Sequence, residues 1–348
     1  MSMSRLILDP YDKRRDHEVQ ILFKEYTHKD HQLRTLGIPK ERMAVYLEKT
    51  LDEPGSHNIC LRDNGRLVGL ISLQFLPWMS EHFGLRMCAV RHLLARSDSP
   101  MVHTRLLRFV MEELKEVDFL DCRVAVDDIY SAHALEVCGF RYVGTEIFLG
   151  QVLNPQPPPC DLPSGIEICP CRPEDRPEIL DIVGETHVHN RFVYDPIIQE
   201  DTTRSLYRKL VANCFEAVSF RVLVARSERG VEGFLTFKMN PNFSQVSGIQ
   251  CGSLDFIGVR PQTRTRGLGA ALNRMALREM VQEGDKIAAV RTLASNYPAL
   301  KTCFRTGFMI TSTSLHFHRW IHRPKIAASV STSGSGNNLQ FMERVGVQ

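Results

Sequence analysis

Landmarks of the first half of the chain return in the second at a nearly constant spacing. Pro10 and Asp12 correspond to Pro173 and Asp175, Gly69 to Gly233, and Gly139-Phe140 to Gly307-Phe308, at offsets of 163, 164 and 168. An offset that grows slowly along the chain is what a duplicated domain with small insertions produces, whereas chance matches scatter. The chain is therefore expected to fold as two copies of one unit. Between the copies, Leu153 to Gly165 reads LNPQPPPCDLPSG, and its five prolines cannot continue a helix or a central strand. The expected divisions are a first domain over 1–152, a proline-rich linker over 153–165 and a second domain over 166–323. Ala327 to Asn338, AASVSTSGSGNN, is too small and polar to build a core, so 324–348 is expected to be a flexible tail.

At 348 residues, 43% hydrophobic and 24% charged, the chain has enough apolar material for two cores. Its 43 Lys and Arg against 40 Asp and Glu leave +3, evenly spread, which argues against nucleic acid or a membrane surface as partner. Ten cysteines occur without a CxxC pair, mostly singly within apolar runs. Neither a zinc site nor a disulfide framework is expected, and a reducing, cytoplasmic setting is. The start MSMSRLILDPYDK has no apolar signal core, and no stretch approaches the roughly 20 apolar residues of a membrane span.

Periodicity in the second copy predicts a mixed αβ unit. A strand at 166–169 precedes helical segments over 173–185 and 202–216. FRVLVAR (220–226) and GFLTFKM (233–239) flank the turn Ser-Glu-Arg-Gly and read as a hairpin. A strand at 254–259 leads to a helix over 267–283 with a stripe at 268, 272, 275, 276 and 280, closed by Gly284. A buried-type strand at 286–293, a short helix at 297–305 and a final strand or hairpin at 309–321 complete the unit.

The junction VRPQTRTRGLGAAL (259–272) carries the chemistry. Pro261 takes the chain out of the ladder, and Gly267 and Gly269 let backbone N–H groups turn inward at a helix N-terminus. With Arg264 and Arg266 alongside, the site suits a pyrophosphate. It is not a P-loop, because Ala-Ala-Leu follows the glycines, nor a dinucleotide fingerprint, whose third glycine is Leu272 here. Val259, Pro261, Arg264, Gly267 and Gly269 closely resemble motif A of the GNAT acyltransferase superfamily, V-x-P-x-x-R-x-x-G-x-G. Asn296, Ala299, Leu300 and Gly307-Phe308 resemble its second motif. The resemblance implies two tandem GNAT-like domains and acetyl-CoA as co-substrate. It assigns cofactor contacts to Ile257, Val259, Arg264, Arg266, Gly267, Leu268, Gly269, Ala270 and Asn296. It also implies that the next strand splays away to admit the pantetheine arm. In the first copy the corresponding run, RHLLARSDSP (91–100), has no glycine and carries an aspartate, so no CoA is expected there.

Transfer to an amine requires a base, an oxyanion donor and a proton for the leaving thiolate. Asp255 is the candidate base, its alternative being a solvated strand aspartate, and backbone N–H near Val259 is the candidate oxyanion donor. Where many members carry a tyrosine acid, this chain has Cys303; Tyr297, Tyr194 or unassisted departure are the alternatives. For the acceptor, THVHNRFVYDP (186–196) offers His189, Asn190, Arg191, Phe192 and Tyr194, or else a polar loop that caps a helix. The run P-W-x-S-x-x-F-G at Pro77–Gly84, with Arg191-Phe192, resembles dTDP-fucosamine and related amino-sugar-nucleotide acetyltransferases. That resemblance implies a nucleotide-linked amino sugar as the small-molecule acceptor. Open alternatives are another small amine, a protein N-terminus, or a non-catalytic acetyl-CoA sensor, and a homodimer is a possible assembly. His316 and His318 lack further ligands at zinc spacing and read as an edge strand, and Cys169-Pro-Cys171 reads as a strand end; no metal is expected.

Overall fold

The computed structural model describes residues 6–14, 17–96, 100–157, 162–186, 189–264 and 267–322. The expected tail and part of the expected linker lie outside them. The described chain divides into two compact units, one of residues up to 145 with 313–322, the other of residues 146–312.

In unit 1, β1 (Leu6–Pro10), β2 (Ser56–Asp63), β3 (Arg66–Phe75), β4 (Met87–Ala95) and β5 (Phe119–Ala125) lie side by side in that order. Neighbours are antiparallel except β4 and β5, which are parallel. Helices α1 (Val19–Glu25), α2 (Asp30–Leu36) and α3 (Lys40–Lys49) precede β2, and α4 (Pro77–Phe83) joins β3 to β4. Crossover helix α5 (Pro100–Glu113) carries β4 to β5, as a parallel pair requires, and α6 (Ile129–Val137) follows. Leu106, Leu107 and Val110 of α5 are buried at helical spacing against Ile71, Leu73 and Leu120. A strand β6 (Arg141–Val152) leaves this unit for the next.

Unit 2 repeats the plan. β7 (Glu167–Pro170), α7 (Arg176–Glu185), α8 (Glu200–Cys214), β8 (Phe220–Ser227), β9 (Gly230–Met239), α9 (Pro241–Ser247), β10 (Cys251–Val259), α10 (Leu268–Gln282), β11 (Ile287–Leu293), α11 (Tyr297–Arg305) and β12 (Met309–Trp320) follow in sequence. β10 and β11 form the parallel pair, and the other pairs from β7 to β10 are antiparallel. The predicted elements are present within a few residues of their expected ends; α9 escaped prediction.

The recurring Gly69 and Gly233 have one physical cause. A Cβ on Gly69 would meet Val102 Cγ1 at 2.9 Å and the Leu94 carbonyl at 3.1 Å, and one on Gly233 would meet the Gly258 carbonyl at 2.9 Å. Each glycine lets the strand ending the hairpin approach its neighbour.

The units exchange their last strands. Ser314 to Trp320 of β12 pair antiparallel with Ala125 to Phe119 of β5, while Glu146 to Val152 of β6 pair antiparallel with Leu293 to Ile287 of β11. The expected cut at 152 thus differs from the division into compact units. The repeat marks where strands occur, and two copies of one strand can each complete either sheet.

Candidate active site

β10 is the pivot of the site. It stays paired with β9 as far as Val259↔Gly233, but its parallel ladder with β11 stops at Leu254↔Val290. β11 continues to Leu293 on its other partner, β6. Residues 255–259 therefore have no ladder partner on the β11 side, which leaves backbone groups for an extended ligand arm. The Val259 carbonyl accepts from Arg264 Nε at 3.4 Å, folding Arg264 back over the strand end.

The glycine loop closes one end of this gap. Gly267 has φ +80° and space around its missing Cβ, so its backbone, not crowding, requires glycine. It caps α10, whose first recorded intrahelical bond runs from Ala271 N to the Gly267 carbonyl at 3.0 Å. Leu268, Gly269 and Ala270 form the first turn of α10, whose N–H groups have no acceptor within the helix. The side chains of Leu268 and Ala270 are buried, so any contact with a ligand is through their backbone. Gly269 faces Ile257 and Thr302: a Cβ there would stand 3.6 Å from Ile257 Cδ1 and 3.5 Å from Thr302 Cγ2. Arg266 lies outside the described residues. Asn296 caps α11 through Ala299 N and donates to Thr292 Oγ1 at 2.9 Å, so its amide fixes the helix to the end of β11.

Asp255 occupies the irregularity where the register of β10 shifts between Leu254 and Phe256. Its Oδ1 accepts from Ser253 Oγ at 3.3 Å, and its Oδ2 lies 3.9 Å from Lys238 Nζ. Burial raises its pKa above the ordinary carboxylate value, opposed by Lys238, Arg291 and the Ser253 bond. A base gains proton affinity this way. Lys238 is itself buried and sits 5.0 Å from the Phe220 ring centre. Arg291 of β11 lies 4.0 Å from Glu146 of β6. Sequence reading missed Lys238, Arg291, Glu146 and Thr302; charged residues inside the runs GFLTFKM and KIAAVRTL were the available signal.

Two candidate acids fare differently. Cys303 is 4% exposed within the α10 core, and burial pushes its thiol up to about 11. A buried thiol held that high is a weaker proton donor than a free one, and its sulfur packs among core side chains. Tyr297 is 75% exposed at the first turn of α11.

Several side chains of the expected acceptor wall engage one another. Asn190 Oδ1 accepts from Phe192 N at 2.9 Å and its Nδ2 donates to Tyr207 Oη at 3.2 Å; Tyr207 Oη donates to the His189 carbonyl. Phe192 is 1% exposed, with Arg191 over its ring at 4.3 Å, so its face is closed to a ligand. Tyr194 remains accessible, its hydroxyl 2.9 Å from Ser295 Oγ in the loop before α11.

Comparison with known proteins bears on this geometry. Residues 188–308 match the profile of the Acetyltransferase (GNAT) family. The spore coat polysaccharide biosynthesis protein SpsD of Bacillus subtilis (strain 168) is 22% identical over 290 residues, covering 82% of this chain and 96% of that protein. A GCN5-related N-acetyltransferase from Sphaerobacter thermophilus superposes with a TM-score of 0.63 at 14% identity, covering 94% of this chain and 98% of the other. A tandem GNAT protein from the clavulanic acid biosynthesis pathway gives 0.52 at 13% identity, covering 92% of this chain and all of that one. At these identities the two structures speak for the fold.

Proposed function

Since the chain carries a GNAT acetyltransferase domain, and is therefore an acyltransferase with acetyl-CoA as co-substrate, we propose that unit 2 acetylates the amine of a nucleotide-linked amino sugar. The observation that carries the site assignment is the ladder ending at Leu254↔Val290 beside the open N-terminus of α10. In this reading the amides of Gly267 to Ala270 and Arg264 hold the diphosphate of CoA, and the free edge of β10 holds its pantetheine arm. Asp255 takes the proton of the substrate ammonium, directly or through a water, and backbone N–H near Val259 stabilises the oxyanion. Tyr297 and Tyr194 are the accessible hydroxyls for the leaving thiolate. The sugar acceptor is supported by the likeness to a protein named for polysaccharide biosynthesis. No described helix is long and apolar enough to cross a membrane.

The test is a free-thiol assay across nucleotide-linked amino sugars, free amino sugars, amino acids, polyamines and N-terminal peptides. Turnover confined to the nucleotide-linked sugars is expected. Preferential acetylation of peptides or polyamines would overturn the acceptor assignment and leave the acetyl-CoA site standing.

A further inference from the structure

Lys238 reaches Asp255 from the neighbouring strand. It stands on β9 opposite Ser253 of β10 and Phe220 of β8, and cross-strand partners share a face of the sheet. Its ammonium sits 5.0 Å from the centre of the Phe220 ring and 3.9 Å from Asp255 Oδ2, with 3% of the side chain exposed. A cation held against a ring and out of water is fixed in place and little screened. At 3.9 Å it attracts Oδ2 without a hydrogen bond, and that oxygen is buried with no hydrogen-bond partner among the described residues. Such an oxygen disfavours the anion unless a cation stands beside it. The other oxygen, Oδ1, accepts from Ser253 Oγ at 3.3 Å, and the side chain as a whole keeps 19% exposure. Lys238 therefore stands behind the carboxylate and leaves its exposed side to an acceptor.

The two copies change these positions together. The register break that holds Asp255 between Leu254↔Phe237 and Phe256↔Thr236 recurs between Val90↔Leu73 and His92↔Ser72, where it holds Arg91. In the same frame Gln74 takes the place of Lys238, and Ser56 that of Phe220. Arg91 Nη1 donates to Gln74 Oε1 at 3.2 Å and pairs with Glu53, while Ser56 Oγ donates to Gln74 Oε1 at 2.9 Å. A cation in the break thus faces a neutral acceptor, and a carboxylate in the break faces an ammonium. A lysine kept only to fill space would not follow the charge across the strand. Of the other elements around Asp255, β11 brings Arg291, itself 4.0 Å from Glu146, and α8 brings the Cys214 thiol, which burial, then Asp255, raises and keeps protonated.

We propose that Lys238 is a positioning residue of the unit 2 site, keeping Asp255 as the carboxylate that an acceptor ammonium needs. The inference rests on the reading of Asp255 as the base. An N–H bond of the ammonium breaks, an O–H bond forms on Asp255, and the electron pair stays on nitrogen for attack on the thioester; Lys238 exchanges no proton.

The test is a pH titration of the Asp255 carboxyl by carbon-13 NMR of the full chain labelled in its aspartates, the signal being the one lost in Asp255→Asn. Beside it runs the pH–rate profile with the nucleotide-linked amino sugar that turns over fastest. Lys238→Met should raise the NMR midpoint by about 1–3 units, the usual effect of an opposite charge at this range, and carry the acid limb of kcat/KM upwards with it. Lys238→Arg, which keeps the charge, should hold both near their wild-type positions. Far-UV circular dichroism checks folding; should Lys238→Met fail to fold, Lys238→Gln decides. A midpoint unmoved by loss of the ammonium overturns the inference. A midpoint that rises while the rate profile stays in place upholds the hold of Lys238 on Asp255 and overturns Asp255 as the base, so the two readings fail separately.

Discussion

Asp255 owes its candidate role to a shift of one residue in the register of β10, which sets its carboxylate near Lys238 and Ser253. Asp255→Asn is expected to lower kcat about 10²-fold or more with CoA affinity unchanged, the usual size of a lost general base. The wild-type rate should rise with pH through an apparent pKa above the ordinary carboxylate value, because burial raises Asp255; steady-state kinetics of the pair checks both. Cys303→Ala should leave the pH–rate profile unaltered and cost about 1 kcal/mol in a denaturant melt, since the thiol fills core space. Asp285 gives a separate pH signature. Burial, then Glu283, raises it to about 6, and its Oδ2 has no partner. Its folded pKa exceeds its unfolded value, so its stabilising contribution is present in acid and is lost as pH rises towards about 6. Asp285→Asn should therefore raise the melting temperature above pH 6 and change it little near pH 4, as thermal melts across pH would record. Asp255 was legible because it precedes a recognisable strand end. The Cys303 environment was not, because burial of a thiol depends on which helix faces it.

The start of α10 concentrates the binding claim in one element. Gly267→Ala should cost about 1–2 kcal/mol, since an L side chain at φ +80° is strained, and Gly267→Asp should also abolish CoA binding with the fold kept. Gly233→Ala should cost about 1–3 kcal/mol because its Cβ would press on the Gly258 carbonyl at 2.9 Å, an atom with no freedom to rotate away. The helix α4 tempers the sugar-nucleotide resemblance. Pro77 starts it and Gly84 at φ +63° closes it, and in unit 2 Pro241 starts α9 and Gly248 at φ +69° closes it. The proline, serine and glycine of P-W-x-S-x-x-F-G thus serve a helix that both units carry; Ser80 Oγ also accepts from Met87 N at 2.9 Å. The hairpin β8–β9 and helices α10 and α11 were readable from turn residues and periodicity. α9 was not, because PNFSQVS is short and without an apolar stripe.

At the scale of the whole chain, duplication was legible and strand exchange was not. Local pattern specifies that a strand forms at 141–152 and at 309–320; which sheet it completes depends on contacts far apart in sequence. Because β12 completes the sheet of unit 1 and β6 that of unit 2, fragments 1–152 and 153–348 should each lack an edge partner. Each alone is expected to show a broad, low-temperature melt, and mixing them should restore a cooperative one. Duplication followed by divergence leaves one ladder break beside a glycine loop and another beside a segment, 91–100, that has no glycine. The measurement that tests this asymmetry most directly is the calorimetric stoichiometry of CoA. One CoA per chain, lost on Gly267→Asp, is the predicted result; two per chain, or undiminished binding by Gly267→Asp, would contradict it.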